Sequence, residues 1–208
     1  MSFMSASRKR FLGGFSVESV ELFSDAIFAF SMTLLAVDIR LPEIAATTEL
    51  PSELLKLMPR FLSFLITFWI AASYWIGHHR VFGLIKKHDR RLIYLNLLFL
   101  MFITLLPFST NLLGRYTTEQ IVVVIGALVF AATGTALGLL WIHASSGHRL
   151  VEEELSSHFI RNLTLRLFAA PIIFLISIPF SFLNPLYTML MWLILILPVN
   201  AIAERRLR

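Results

Sequence analysis

Apolar residues in this chain come in long continuous runs, separated by short polar, basic or proline-containing breaks. A helix needs about 20 mostly apolar residues to cross roughly 30 Å of hydrocarbon at about 1.5 Å per residue. Six runs are long enough, and they predict membrane-spanning helices over residues 17–39, 58–79, 92–113, 119–142, 162–183 and 185–203. The strands of a membrane barrel would alternate apolar and polar positions, which these runs do not. Pro179, Asn184 and Pro185 punctuate the last two runs. Proline lacks an amide donor and restricts the residue before it, so a tight turn is expected there. The fold class is an all-α integral membrane protein of six transmembrane helices, organised as one domain over residues 1–208.

Composition agrees with that pattern. The chain is 57% hydrophobic and 15% charged, with a mean hydropathy of +0.78, whereas soluble domains are roughly 45 to 50% apolar and 25% charged. Charge then sets the orientation, since cytoplasmic loops retain an excess of Lys and Arg. If the N terminus is inside, that side collects Arg8, Lys9, Arg10, Arg80, Lys86, Lys87, Arg90, Arg91, Arg149, Arg161, Arg166, Arg205, Arg206 and Arg208. The outer side keeps Arg40, Lys56, Arg60 and Arg115, a division of 14 against 4. A multi-pass protein of the cell membrane with both termini cytoplasmic is expected. The pI of about 10.0 is then a topology signal, and no nucleic-acid partner is expected. Cysteine is absent, which excludes disulfides and thiolate metal sites. No removable signal peptide is expected either, because Arg8 to Arg10 lead through Gly13 and Gly14 into a full-length span with no small-residue cleavage pattern.

Polar residues concentrate in the first predicted span, which carries Glu18, Glu21, Ser24, Asp25, Ser31, Thr33 and Asp38. An ionised Asp at the middle of a membrane helix costs roughly 2.5 to 3.5 kcal/mol on insertion scales, so such residues face other helices or water. The first span is therefore expected at the centre of the bundle. The plain structural alternative puts Asp25 near the cytoplasmic interface, locking a neighbouring helix through hydrogen bonds.

Phe23-Ser24-Asp25-Ala26, followed by Thr33-Leu34-Leu35 and Asp38, resembles the signature of the transmembrane protein 175 family of potassium-permeable channels. Trp75-Ile76-Gly77-His78-His79-Arg80-Val81-Phe82 is similar to that family's pattern at the inner end of its second span, and Asn96 with Leu105-Leu106-Pro107-Phe108 is similar in the third. The specific motifs lie in the first three spans; the last three agree in topology alone. The resemblance implies a homotetramer whose first helices line a central pore, passing potassium and other monovalent cations, with membrane lipid around it and no cofactor. It also implies a prokaryotic source, since single-repeat chains are the prokaryotic form. Carried across by spacing from Asp25, the constriction positions are Phe30, Leu34 and Val37, and the selectivity position is Thr33. The helix-packing network implied is Phe23, Ser24, Asp25, Trp75, His78, Arg80 and Asn96.

Helix geometry is compatible with that transfer. At about 100° per residue, Thr33, Leu34 and Val37 lie at roughly −60°, +40° and −20° from Phe30, while Asp25 falls about 140° and Phe28 about 160° away. The chain departs from the family pattern in two places. Ser19 stands where members usually have Arg, leaving Arg8 to Arg10 as candidate substitutes, and Phe30 stands where the narrowest ring is usually Ile or Leu. Four phenyl rings can plug the axis, or their negative faces can attract a partly dehydrated cation.

Other chemistry is sparse. His78 and His79 point about 100° apart, poor geometry for one metal. His143, His148 and His158 flank Glu152 to Glu154 in what reads as a solvated linker. Gly134 and Gly138 form a small-residue face suited to close helix packing, more often within a subunit than between subunits. No phosphate loop, nucleophile elbow or metalloprotease helix occurs, so no catalytic or metal site is expected. No Thr-Val-Gly-Tyr-Gly filter is present either. The alternatives to a channel are a secondary transporter of a small solute and a non-conducting assembly protein. The transporter needs a polar midplane site on broken helices, yet no ionisable residue adjoins Pro107, Pro171 or Pro198.

Overall fold

The computed structural model describes residues 16–37, 39–40 and 49–192. Its helices are α1 (Val17–Val37), α2 (Leu50–Lys56), α3 (Met58–Leu84), α4 (Arg90–Thr104), α5 (Leu106–Arg115), α6 (Gln120–Ser145) and α7 (Ser157–Ser181), with a 3₁₀ turn at Ser146–His148. Five stretches are long and apolar enough to cross a membrane: α1, α3, α4 with α5, α6 with its following turn, and α7. A further helical stretch covers residues 185–192. The rest of the expected sixth span, residues 193–203, lies outside the described residues, as do Arg8 to Arg10, Asp38, Arg205, Arg206 and Arg208.

Local chemistry accounts for the breaks. The third expected span divides at Leu105, where the Leu105 amide turns back to the Phe102 carbonyl at 3.1 Å. Pro107 supplies no amide to continue the ladder, so α4 and α5 form one kinked span. After α7, Asn184 accepts from the Tyr187 amide at 3.2 Å. Pro185 then occupies the first helical position, where its missing donor costs nothing.

The first span was expected at the centre of the bundle, but α6 occupies that place. It packs against α7, α4, α5 and α3, whereas α1 packs against α3, α4 and α5. α6 is the most buried of the five spans. Its sequence is apolar all round and rich in Gly and Ala, so neighbours can approach from every side. Gly134 and Gly138 face α7 of the same chain. A Cβ at Gly134 would lie 2.6 Å from Pro171 Cγ, and one at Gly138 would lie 2.6 Å from the Phe168 ring. One turn along this contact, Phe130, Phe174 and Trp192 meet with ring centroids 5.2 to 5.6 Å apart, and Trp192 Nε1 donates to Ser177 Oγ at 2.8 Å. That contact draws the start of the last helical stretch back onto α6 and α7.

The linker expected to be solvated is pinned at the end of the bundle that carries Lys86, Lys87, Arg90 and Arg91. The Lys86 amide donates to Leu150 O at 2.8 Å, Ile85 and Val151 form an antiparallel bridge, and Lys86 Nζ lies 3.1 Å from Glu152. Gly147 makes the reversal possible with φ of 60°, a left-handed conformation that costs glycine little. Asp89 caps α4 by accepting from Leu92 N at 2.7 Å, and His143 Nε2 lies 2.9 Å from its Oδ2. Burial is the largest single influence on the Asp89 carboxyl and opposes ionisation. The Leu92 N–H, the His143 hydrogen bond and the fields of His143 and Arg149 together outweigh it, holding Asp89 below the usual carboxylate range.

The close approach of α6 and α7 yields a stability prediction. Gly134→Ala drives a methyl into the rigid Pro171 ring and should cost about 1 to 3 kcal/mol. Gly83→Ala, where nothing lies within 4 Å, should be neutral or stabilise by about 0.5 to 1 kcal/mol. Thermal unfolding in detergent checks both, and equal midpoints for the two variants would refute the packing argument.

Candidate ion pathway and the network behind it

Ser16 opens α1, its Oγ accepting from the Ser19 amide at 3.0 Å and lying 2.7 Å from Ser19 Oγ. From there the helix divides into two faces. Val20, Ser24, Phe28, Ser31 and Leu35 are buried against the rest of the subunit. Phe23, Phe30 and Val37 are exposed, at 50%, 63% and 44%, together with Ser19, Ala26, Ala29, Thr33 and Ala36. Leu34 sits half-buried at the margin. On this bare face Thr33 Oγ1 donates to Ala29 O at 2.7 Å. Its single proton is thereby spent on its own helix, and oxygen lone pairs remain free.

Behind α1 runs a directed chain of buried hydrogen bonds. Asn96 on α4 donates through Nδ2 to Ser24 Oγ at 2.9 Å, and Ser24 passes its proton to Val20 O at 2.8 Å. Asn96 Oδ1 lies 3.0 Å from His78 Nε2. Because the amide nitrogen is committed to Ser24, its oxygen must accept, which assigns the proton to His78 Nε2. Ser24, His78 and Asn96 are each at most 1% exposed. The His78 ring stacks on Phe82 and Phe99 with centroids at 4.3 and 5.4 Å, and Phe28 closes the pocket at 5.9 Å from His78. Three helices are tied together here.

A second, wetter contact flanks the chain. Trp75 Nε1 on α3 donates to Asp25 Oδ1 at 2.8 Å, Trp75 stacks on His79 at 5.7 Å, and His79 Nδ1 lies 3.0 Å from Glu21 Oε1. The sequence reasoning noted Glu21 and His79 but did not pair them, although Glu21 stands one turn before Asp25 and His79 one turn after Trp75. Ser19 stands where the resemblance leads one to expect Arg, and among the described residues the Asp25 carboxylate is held by the Trp75 indole and by no cation.

Two expected members stand apart from this network. Phe23 is half exposed and makes no ring contact among the described residues, because the residue before Ser24 is rotated about 100° off the face that Ser24 buries. Arg80 is only partly buried and joins none of these bonds; two positions beyond His78, it is rotated about 200° from the buried face. His78 and His79 diverge, one into the aromatic pocket and the other to Glu21. No group of three His, Asp or Glu side chains is placed to hold a metal among the described residues.

Comparison with known proteins bears on the same residues. The family described as endosomal/lysosomal potassium channel TMEM175 matches residues 19–107, which contain both contacts. A potassium channel of Chamaesiphon minutus is 34% identical over 170 residues, 79% of this chain and 84% of that protein. One of Streptomyces collinus is 34% identical over 134 residues, 62% of this chain and 65% of that protein. Among solved structures, a crystal structure described as a lysosomal potassium-selective channel TMEM175 homologue from Chamaesiphon minutus superposes with a TM-score of 0.79 at 29% identity. The match covers 89% of this chain and 96% of that one. On identity and coverage together, this chain belongs to the TMEM175 family.

Proposed function

We propose that this chain is a potassium-permeable cation channel of a prokaryotic cell membrane, in which four copies surround an axis lined by their α1 helices. It is a transport protein and not an enzyme. The observation that carries this reading is the division of α1. One face is held by buried polar bonds, while the other turns Phe30, Thr33 and Val37 away from their own subunit. Family membership supports it, and so do relatives named as potassium channels. Six spans with both termini cytoplasmic follow from the basic asymmetry, the stretch from 185 supplying the last crossing.

On this reading Phe30 forms the constriction, and Leu34 and Val37 extend an apolar lining over about 10 Å. Such constrictions gate by dewetting, so ring size controls passage. Thr33 lies one turn beyond Phe30, and its oxygen lone pairs replace water lost from the more easily dehydrated potassium ion. Asp25, rotated away from the axis and bonded to Trp75, is a positioning residue. With Ser24, His78 and Asn96 it fixes the rotation of α1.

Topology is tested by cysteine labelling in a chain that has no native Cys. A Cys at Glu49 should react with an impermeant reagent in intact cells and one at Lys87 should not; the reverse pattern would overturn the orientation. Asp25→Ala removes the acceptor of the exposed Trp75 indole, at a cost of about 0.5 to 1.5 kcal/mol, and should lower tetramer yield in detergent. Asp25→Asn keeps an acceptor and should lower it less. Normal assembly of Asp25→Ala with loss of selectivity alone would place Asp25 at the pore instead.

Liposome flux tests the lining. Phe30→Ala should raise potassium flux severalfold, and Thr33→Val should mainly reduce the preference for potassium over sodium. The exposed Leu165→Ala on α7 should change neither. Phe28→Ala is unsuitable as a permeation control, because Phe28 is 1% exposed and its loss opens a core cavity costing about 3 to 5 kcal/mol. An effect from Leu165→Ala with none from Phe30→Ala would move the pathway to another face, and no flux from any preparation would favour the non-channel readings.

A further inference from the structure

Phe23 is left over by the network and unused by the lining. It stands seven residues before Phe30, so the two side chains differ by only about 20° around α1 and by about 10 Å along it. Both are at least half exposed. Neither belongs to the apolar residues packed against the core, which on α1 are Val20, Phe28 and Leu35 with Val17, Ile27 and Met32 beside them.

The direction of Phe23 is fixed by its neighbours. Ser24 is tied to Asn96 and Asp25 to Trp75, and the two tethers grip adjacent positions about 100° apart on the helix. Two bonds at that angle leave α1 little freedom to roll, and the residue before them must face away from α3 and α4. In this chain the Phe-Ser-Asp triplet is a clamp of two residues that aims the third.

We propose that Phe23 forms a second aromatic ring on the conduction axis, about 10 Å nearer the basic end of the bundle than Phe30. This rests on α1 lining the pore. Ala26 lies about 40° from Phe30 on the same face, and its small side chain leaves a wider chamber between the two rings. Ser19, about 20° from Phe30 on that face, places a hydroxyl at the entrance. A cation entering from the basic end then passes the Ser19 hydroxyls and the Phe23 ring, whose faces attract it, before the chamber and Phe30. The two rings are barriers in series with Phe30 the higher, so relieving either raises conductance in part and the ring that remains caps the gain.

The test uses full-length protein in planar bilayers with a small cationic methanethiosulfonate reagent applied from the basic side. Phe23→Cys should be modified quickly, with current reduced severalfold. Phe30→Cys should react slowly, and faster once Phe23→Ala is added. Phe23→Leu, which keeps an apolar side chain, should conduct more than the parent. Phe23→Ala with Phe30→Ala should raise conductance beyond the product of the single effects. The proposal is overturned if Phe23→Cys is silent while Phe30→Cys responds at a rate indifferent to position 23; Phe23 then faces lipid or a neighbouring subunit and the pore reading stands. Silence of Phe23→Cys, Phe30→Cys and Thr33→Cys alike would remove the pore reading itself.

Discussion

The side-chain amide of Asn96 is the point on which this architecture turns. It stands in an apolar interior, at most 1% exposed, and uses both ends, accepting from His78 and donating to Ser24. Lipid offers no solvent to groups that lose their partners, so the Asn96 amide and the Ser24 hydroxyl hold only in the arrangement that satisfies both, while His78 Nδ1 stays buried without a partner. Association of helices in a bilayer has no hydrophobic drive of its own. A hydrogen bond linking α1, α3 and α4 therefore specifies more than packing alone would. The aromatic rings around His78 exclude competing donors and acceptors, and Phe28 links that pocket to α1.

From that anchor the two faces of α1 acquire separate duties. The buried face carries serines spaced for helix contact. The bare face carries large apolar groups with small or hydroxylated residues between them, a surface for copies of the same helix around a narrow passage. A second tight contact lies elsewhere, where α6 and α7 interlock through Gly134 and Gly138. A small-residue contact of that kind stays close without polar bonds, and it leaves α1 as the element whose position is set by a few side chains. At the basic end, the Asp89 cap and the Ile85–Val151 bridge join the α3–α4 linker to the turn after α6. The end of α4 that leads to Asn96 is thereby tied to the α6–α7 unit.

Much of this was legible in the chain itself. The helical class and the placement of the spans follow from the length and hydropathy of each run, because crossing hydrocarbon is a requirement each segment meets largely by itself. The turn at Asn184-Pro185 is local for the same reason, since a missing amide acts within one turn, whereas the break before Pro107 falls inside the run expected as one span over 92–113. Ser24 and Asp25 stand out as polar residues in an apolar span, the family resemblance adds Trp75, His78 and Asn96, and the structure brings the five together in two contacts. Phe23 is grouped with them by the Phe-Ser-Asp resemblance, whereas one step of helical rotation turns it the other way.

What only the tertiary structure decided depends on which helices meet. Composition alone drew the polar first span toward the centre, but centrality belongs to α6, whose small residues admit neighbours on all sides. The linker carrying Glu152 to Glu154 and His158 is exposed as it reads, but His143 at its start is buried against Asp89, more than fifty positions earlier. Which side of α1 is bare could be computed from helical angles but not chosen, since an angle has no origin until a partner supplies one. Asn96, 72 residues from Ser24 in sequence, supplies that origin, because a buried amide is satisfied at one rotation of the helix it binds and unsatisfied at the others.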